Sequence, residues 1–78
     1  MFTIYGKEHC GFCQRIKVVL ELLGKEYEYK ELYRDFSEEE FLEKFKGKTM
    51  FPQVEYEGKH IGDCQETIQY LKEHRVLT

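Results

Sequence analysis

Two cysteines separated by two residues, Cys10-Gly11-Phe12-Cys13, carry the most evident chemistry in this sequence. Thiols at that spacing either exchange with disulfides or bind metal. A structural zinc site needs four ligands, commonly two cysteine pairs or a cysteine pair with a histidine pair. Only Cys64, His9, His60 and His74 remain to complete one, and none is paired in that way. Redox chemistry is therefore favoured over metal binding. The place of the pair in the chain sharpens this. Phe2-Thr3-Ile4-Tyr5 is β-branched and aromatic, reads as a short strand, and ends at Gly6. Phe12, Ile16, Val19, Leu20 and Leu23 then recur at steps of three and four, an amphipathic helix that Gly24 is suited to end. Cys10 falls where strand gives way to helix. Backbone N–H groups at a helix start lack partners, and the aligned peptide dipoles leave about half a positive charge there. A thiolate in that position is stabilised, so its pKa falls below the free value of about 8.5. Lys7 and Lys17 add positive potential. The thiolate is the species that attacks a disulfide, through a mixed-disulfide intermediate. Cys13, one turn further along, is favoured as a neutral thiol and is placed to attack that intermediate.

The remaining elements follow from pattern and punctuation. Tyr27 to Tyr33 alternates in character and reads as a second strand. Ser37-Glu38-Glu39-Glu40 is a capping box opening a helix that carries Phe41, Leu42 and Phe45. Pro52 to Tyr56 reads as a third strand, Glu57-Gly58 as a tight turn, and Lys59-His60-Ile61 as a fourth strand closing a hairpin. Asp63-Cys64-Gln65-Glu66 is a second cap, opening a helix with Ile68 and Leu71 inward. The order βαβαββα predicts an α/β sandwich of two or three layers. Its first two strands are parallel and joined by a helical crossover.

With 78 residues, the chain is expected to form a single domain, 1–78. The longest apolar stretch, Ile16 to Leu23, is broken by Lys17 and Glu21 and is far short of the roughly 20 residues that cross a bilayer. The first residues have no basic region followed by an apolar one, so no signal peptide is expected. Net charge is −3 with both signs interspersed, which argues against a nucleic-acid surface. Lys44, Lys46 and Lys48 read as a solvated helix end. An odd count of three cysteines argues against a disulfide-stapled secreted fold, so a cytoplasmic location is expected. His60 and His74 read as surface residues.

Three segments together resemble a known family. Lys7-Glu8-His9-Cys10-Gly11-Phe12-Cys13, Met50-Phe51-Pro52-Gln53-Val54 and His60-Ile61-Gly62-Asp63-Cys64 match the glutaredoxin signatures in order and spacing, across nearly the whole chain. The short length is similar to that of compact bacterial or phage members. The resemblance implies a thioredoxin fold, a four-stranded mixed sheet with three helices. It also implies glutathione as reductant, with no tightly bound cofactor. By this resemblance Cys10 forms the mixed disulfide and Cys13 resolves it. Phe12 is the aromatic beside the substrate, Lys7 meets a glutathione carboxylate, and Pro52 stands at a cis-proline. Phe51 offers its backbone to the tripeptide, and Cys64 and Gln65 open the helix that holds the γ-glutamyl end. The implied partners are glutathione and disulfide-containing proteins, ribonucleotide reductase being a frequent one in the family, and the protein is expected to be a monomer.

The sequence departs from the family pattern at several points. Gly11 replaces a proline, Met50 a threonine, Thr49 a residue that is often basic, and Asp63 a glycine. Asp63 adds negative charge where a substrate carboxylate is expected. Two other functions share the motif. A redoxin served by a thioredoxin-type reductase usually carries a tryptophan-containing motif near the last helix, and this chain has no tryptophan. An iron–sulfur carrier would hold a cluster between two chains through Cys10 and glutathione. The second cysteine favours the redox role.

Overall fold

A computed structural model describes residues 1–74. Its elements are β1 (Phe2–Gly6), α1 (Gly11–Leu22), β2 (Tyr27–Glu31), α2 (Glu38–Lys44), β3 (Gln53–Tyr56), β4 (Lys59–Gly62) and α3 (Cys64–Glu73). This is the βαβαββα order expected. The strands form one mixed sheet in the order β2-β1-β3-β4. β1 runs parallel to β2 and antiparallel to β3, and β3 and β4 form the antiparallel hairpin.

Side-chain alternation along β1 divides the core in two. Phe2 and Ile4 point to one face, where they meet Ile16 and Leu20 of α1, Val54 of β3, and Cys64 and Leu71 of α3. Tyr5 points to the other face and packs with Phe36, Phe41 and Phe45, with Leu32 and Phe51 against them. The sheet is thus covered on both faces, by α1 and α3 on one and by α2 on the other. Successive strand residues face opposite ways, so one strand can feed two cores.

The ends of α1 are both specified locally. Cys10 is its N-cap. At the other end Gly24 takes a left-handed φ of 68°. Gly24 N–H donates to the Glu21 carbonyl at 3.1 Å, and Lys25 N–H to the Leu20 carbonyl at 2.9 Å. That pair of bonds closes a Schellman motif, which favours glycine at this position. α2 opens with the expected capping box. Ser37 Oγ accepts from Glu40 N–H at 3.1 Å, and Glu40 Oε1 accepts from Ser37 N–H at 2.8 Å.

Two expected boundaries need correction. β2 ends at Glu31 and does not reach Tyr33. The Asp35 carboxylate accepts from Glu31 N–H at 2.8 Å, and Tyr33 adopts a left-handed φ of 73°. This reverses the chain and lets Phe36 bridge back to Leu32, which delivers Phe36 to the second core. Asp35 can do this because a short carboxylate mimics a backbone acceptor in a turn. β3 begins at Gln53, one residue after Pro52. Proline has no N–H to donate to a ladder, so it sits at the edge of the pairing. The polar positions of β3 lie on the α2 side. Glu55 is buried there and its carboxylate meets Lys44 Nζ at 3.2 Å.

Candidate active site

The strand-to-helix junction places Cys10 as the N-cap of α1, with extended backbone angles. A cap side chain normally accepts from the first free N–H groups of its helix. Here sulfur takes that part: Cys10 Sγ accepts from Cys13 N–H at 3.2 Å. The two cysteines are joined as a disulfide, with Cα atoms 5.2 Å apart. Their surroundings differ as the sequence suggests. Cys10 is half-buried, whereas Cys13 is fully buried on the inner face of the helix. Phe12 stands between them in sequence and points outward, 59% exposed.

The second wall comes from the loop before β3. The Phe51–Pro52 peptide bond is cis, the isomer the resemblance implies. The Phe51 carbonyl oxygen lies 3.9 Å from Cys10 Sγ. The Phe51 ring stacks on Phe41, with centroids 4.3 Å apart, and so continues the aromatic core under α2. Lys7 Nζ lies over the same ring, 5.2 Å from its centroid.

The third wall is the start of α3. Asp63 is its N-cap, and a second capping box is complete. The Asp63 carboxylate accepts from Glu66 N–H at 2.9 Å, and Glu66 Oε1 accepts from Asp63 N–H at 3.0 Å. Cys64 is buried just behind the cap, and that burial pushes its thiol pKa up. It is therefore a poor nucleophile at neutral pH. Phe12, Met50, Phe51, Pro52, Asp63, Cys64 and Gln65 together line a cavity of about 200 Å³.

Five of the residues singled out from the sequence thus meet in one cavity: Phe12, Phe51, Pro52, Cys64 and Gln65. Cys10 and Cys13 lie beside it. Lys7 does not line it. It borders a separate, wider groove with Glu8, Glu31, Leu32, Tyr33 and Arg34. Lys17, expected to add potential near Cys10, is placed over the Tyr29 ring at 4.7 Å from the centroid. Among the described residues, no three His, Cys, Asp or Glu side chains converge to hold a metal ion.

His60 is exposed, as expected of a surface residue, but sequence reasoning missed a contact that it makes: its Nε2 lies 2.7 Å from Oε1 of the buried Gln53. The available signal was position. A glutamine between Pro52 and Val54, in a strand of a sheet covered on both faces, must be buried, and a buried amide needs partners.

The arrangement is that of a dithiol exchanger: a half-buried sulfur capping a helix start, a sheltered second sulfur, and a small recess with backbone and helix-start donors around it. Over residues 2–61 the sequence matches the glutaredoxin family. It is 32% identical over 78 residues to Glutaredoxin-C1 of Arabidopsis thaliana, covering 96% of this chain and 62% of that protein. It is 35% identical over 82 residues to Glutaredoxin 1 of Salmonella typhimurium, covering 95% of this chain and 94% of that protein. Among solved structures it is similar to buckwheat glutaredoxin in complex with glutathione. That likeness has a TM-score of 0.82 at 26% identity, over 97% of this chain and 72% of the other. The chain belongs to the glutaredoxin family, the glutathione-dependent thiol–disulfide oxidoreductases of the thioredoxin fold.

Proposed function

We propose that this protein reduces glutathione mixed disulfides and protein disulfides at the expense of glutathione, with Cys10 as nucleophile and Cys13 as resolving thiol. The observation that carries the reading is the contrast between the two sulfurs. Cys10 Sγ takes the cap position at the start of α1 beside the cavity, and Cys13 is enclosed beneath it. In the reduced protein the Cys10 thiolate attacks the glutathione sulfur of a mixed disulfide. The S–S bond breaks, the protein thiolate leaves, and a Cys10–glutathione disulfide forms. A second glutathione thiolate attacks that bond, releasing glutathione disulfide and restoring the Cys10 thiolate. With a protein disulfide, Cys10 bonds one of the two sulfurs. Cys13 then attacks Cys10 Sγ, frees the reduced protein and closes the Cys10–Cys13 disulfide. Two glutathione molecules reduce that disulfide.

Phe51 and the start of α3 are assigned to the tripeptide. The Phe51 carbonyl next to Cys10 Sγ provides a strand-like acceptor for its cysteinyl amide. Free N–H groups at Cys64 and Gln65 suit its γ-glutamyl carboxylate, because a helix start favours anions. A coupled assay with glutathione, glutathione reductase and NADPH tests the reading, run beside an assay with a thioredoxin-type reductase as electron source. Turnover is expected with glutathione. Turnover with the reductase alone overturns the reading.

Asp63 places a carboxylate at the mouth of the γ-glutamyl site. An asparagine in its place would cap equally well, since asparagine and aspartate are comparable N-caps. Asp63→Asn is therefore expected to leave stability within about 1 kcal/mol. It should lower KM for glutathione about two- to five-fold at low salt, as one repulsive charge is removed. Steady-state kinetics at several salt concentrations check this. A rise in KM would show instead that Asp63 holds the ammonium of the γ-glutamyl group.

A further inference from the structure

We propose that Gln53 and His60 are positioning residues for the Met50–Phe51 segment, holding its backbone in the form that pairs with glutathione. The inference rests on the glutathione reading above. Gln53 Nε2 donates to the Met50 carbonyl oxygen at 3.0 Å. His60 Nε2 lies 2.7 Å from Gln53 Oε1. The direction of the whole chain follows from the first link. A carbonyl only accepts, so the amide nitrogen of Gln53 must face Met50. Its oxygen then faces His60, and His60 Nε2 must carry a proton. The neutral ring protonated at Nε2 and the imidazolium both satisfy this, so the chain persists in either charge state.

Placement gives the chain its purpose. Gln53 is almost wholly buried, on the α2 side of the sheet. The register of the hairpin shifts by one residue, so that Val54 opposes Gly62 but Glu55 opposes His60. The exposed His60 packs its ring at a tilt of 48° against the buried Phe45, with centroids 4.7 Å apart. The loop from Gly47 to Pro52 has no ladder of its own, and both Met50 and Phe51 line the cavity. The Gln53 amide therefore ties the free carbonyl of Met50 to the sheet, one residue from the Phe51 backbone next to Cys10 Sγ. Neither Gln53 nor His60 lines the cavity, so each acts through this segment.

Two substitutions test the assignment. Gln53→Met keeps the length of the side chain and removes both bonds. His60→Phe keeps the ring on Phe45 and removes only the donor. A lost hydrogen bond of ordinary strength corresponds to about a five-fold change. KM for a glutathione mixed disulfide is expected to rise about five-fold in His60→Phe and about ten-fold in Gln53→Met, with kcat held within about two-fold. His60→Gln restores a donor and should recover most of the loss. A second measurement needs no glutathione. The NMR order parameter of the Phe51 amide should fall in both variants, from the rigid value of about 0.85 toward 0.6. Lowered order parameters in a protein with no glutathione turnover would sustain the positioning role while removing the proposed function. Unchanged order parameters and KM in both variants overturn the inference, as does a parallel fall in kcat and in the rate of Cys10 alkylation.

Discussion

Cys10→Ser is expected to abolish turnover with every disulfide substrate, a loss of at least about a thousand-fold. Serine is not a nucleophile toward sulfur at neutral pH. Neither remaining thiol can replace Cys10: Cys13 is fully enclosed, and burial keeps the Cys64 thiol protonated. Cys13→Ser should behave differently. The glutathione mixed-disulfide cycle needs one protein sulfur, so its rate should stay within about three-fold of wild type. Reduction of a protein disulfide needs the second sulfur to free the trapped substrate, and should fall by at least about ten-fold. Parallel assays on a glutathionylated peptide and on a disulfide-bonded protein separate the two. In a Cys13→Ser/Cys64→Ser variant the Cys10 thiolate can also be titrated alone through its alkylation rate. The rate should reach its plateau well below the pH range of an ordinary thiol, because the start of α1 stabilises the anion. Full activity of Cys10→Ser would remove the assignment of the nucleophile.

Gly62→Ala is expected to be the most damaging change of a single methyl in this chain. Gly62 has a φ of 139°, a region closed to side chains, and a Cβ built there falls 2.7 Å from Cβ of Glu66. The obstacle is the root of a helical residue, not the tip of a flexible one, so relief requires α3 to move. Backbone strain and overpacking each cost about 1–3 kcal/mol, giving roughly 2–4 kcal/mol together. For a domain of this size the melting temperature should fall by about 10 °C or more. Gly58→Ala is the comparison. Gly58 also has a left-handed φ, of 81°, but nothing lies within 4 Å of the added carbon. Its loss should be confined to about 1 kcal/mol. Thermal unfolding followed by circular dichroism measures both. Equal melting temperatures for the two variants would show that contact with Glu66 does not matter. Since Asp63, Cys64 and Gln65 follow directly, Gly62→Ala should also weaken glutathione binding in the protein that remains folded.

Local signals in the sequence were sufficient for much of this architecture. Both capping boxes, the glycine at the end of α1 and the Glu57-Gly58 hairpin turn are short-range devices, and each is found where its residues place it. The cysteine pair was legible for the same reason, since its meaning comes from one strand–helix junction. What stayed hidden depends on contacts distant in sequence. The end of β2 is set by the carboxylate of Asp35 and by the return of Phe36 to the sheet, which alternation within Tyr27 to Tyr33 does not encode. Lys7 lies over the Phe51 ring, a contact between the β1–α1 and α2–β3 loops that are 44 residues apart in sequence at these positions. The Gln53–His60 bond depends on a one-residue register shift in a hairpin, which periodicity cannot reveal.

The stack of Phe36, Phe41 and Phe51 under α2 has a thermal consequence. α2 has only seven residues, too few to persist as a helix alone, so it is held by the rings it lays on the sheet. One of those rings, Phe51, is also a wall of the ligand recess. When α2 lifts away as a local unit, Phe51 loses its support in the same event. Such openings cost less free energy than global unfolding. With Phe51 in the proposed glutathione site, warming is expected to weaken glutathione binding before the sheet melts. A ligand bound against Phe51 is expected to act in reverse, steadying a helix that does not line the recess.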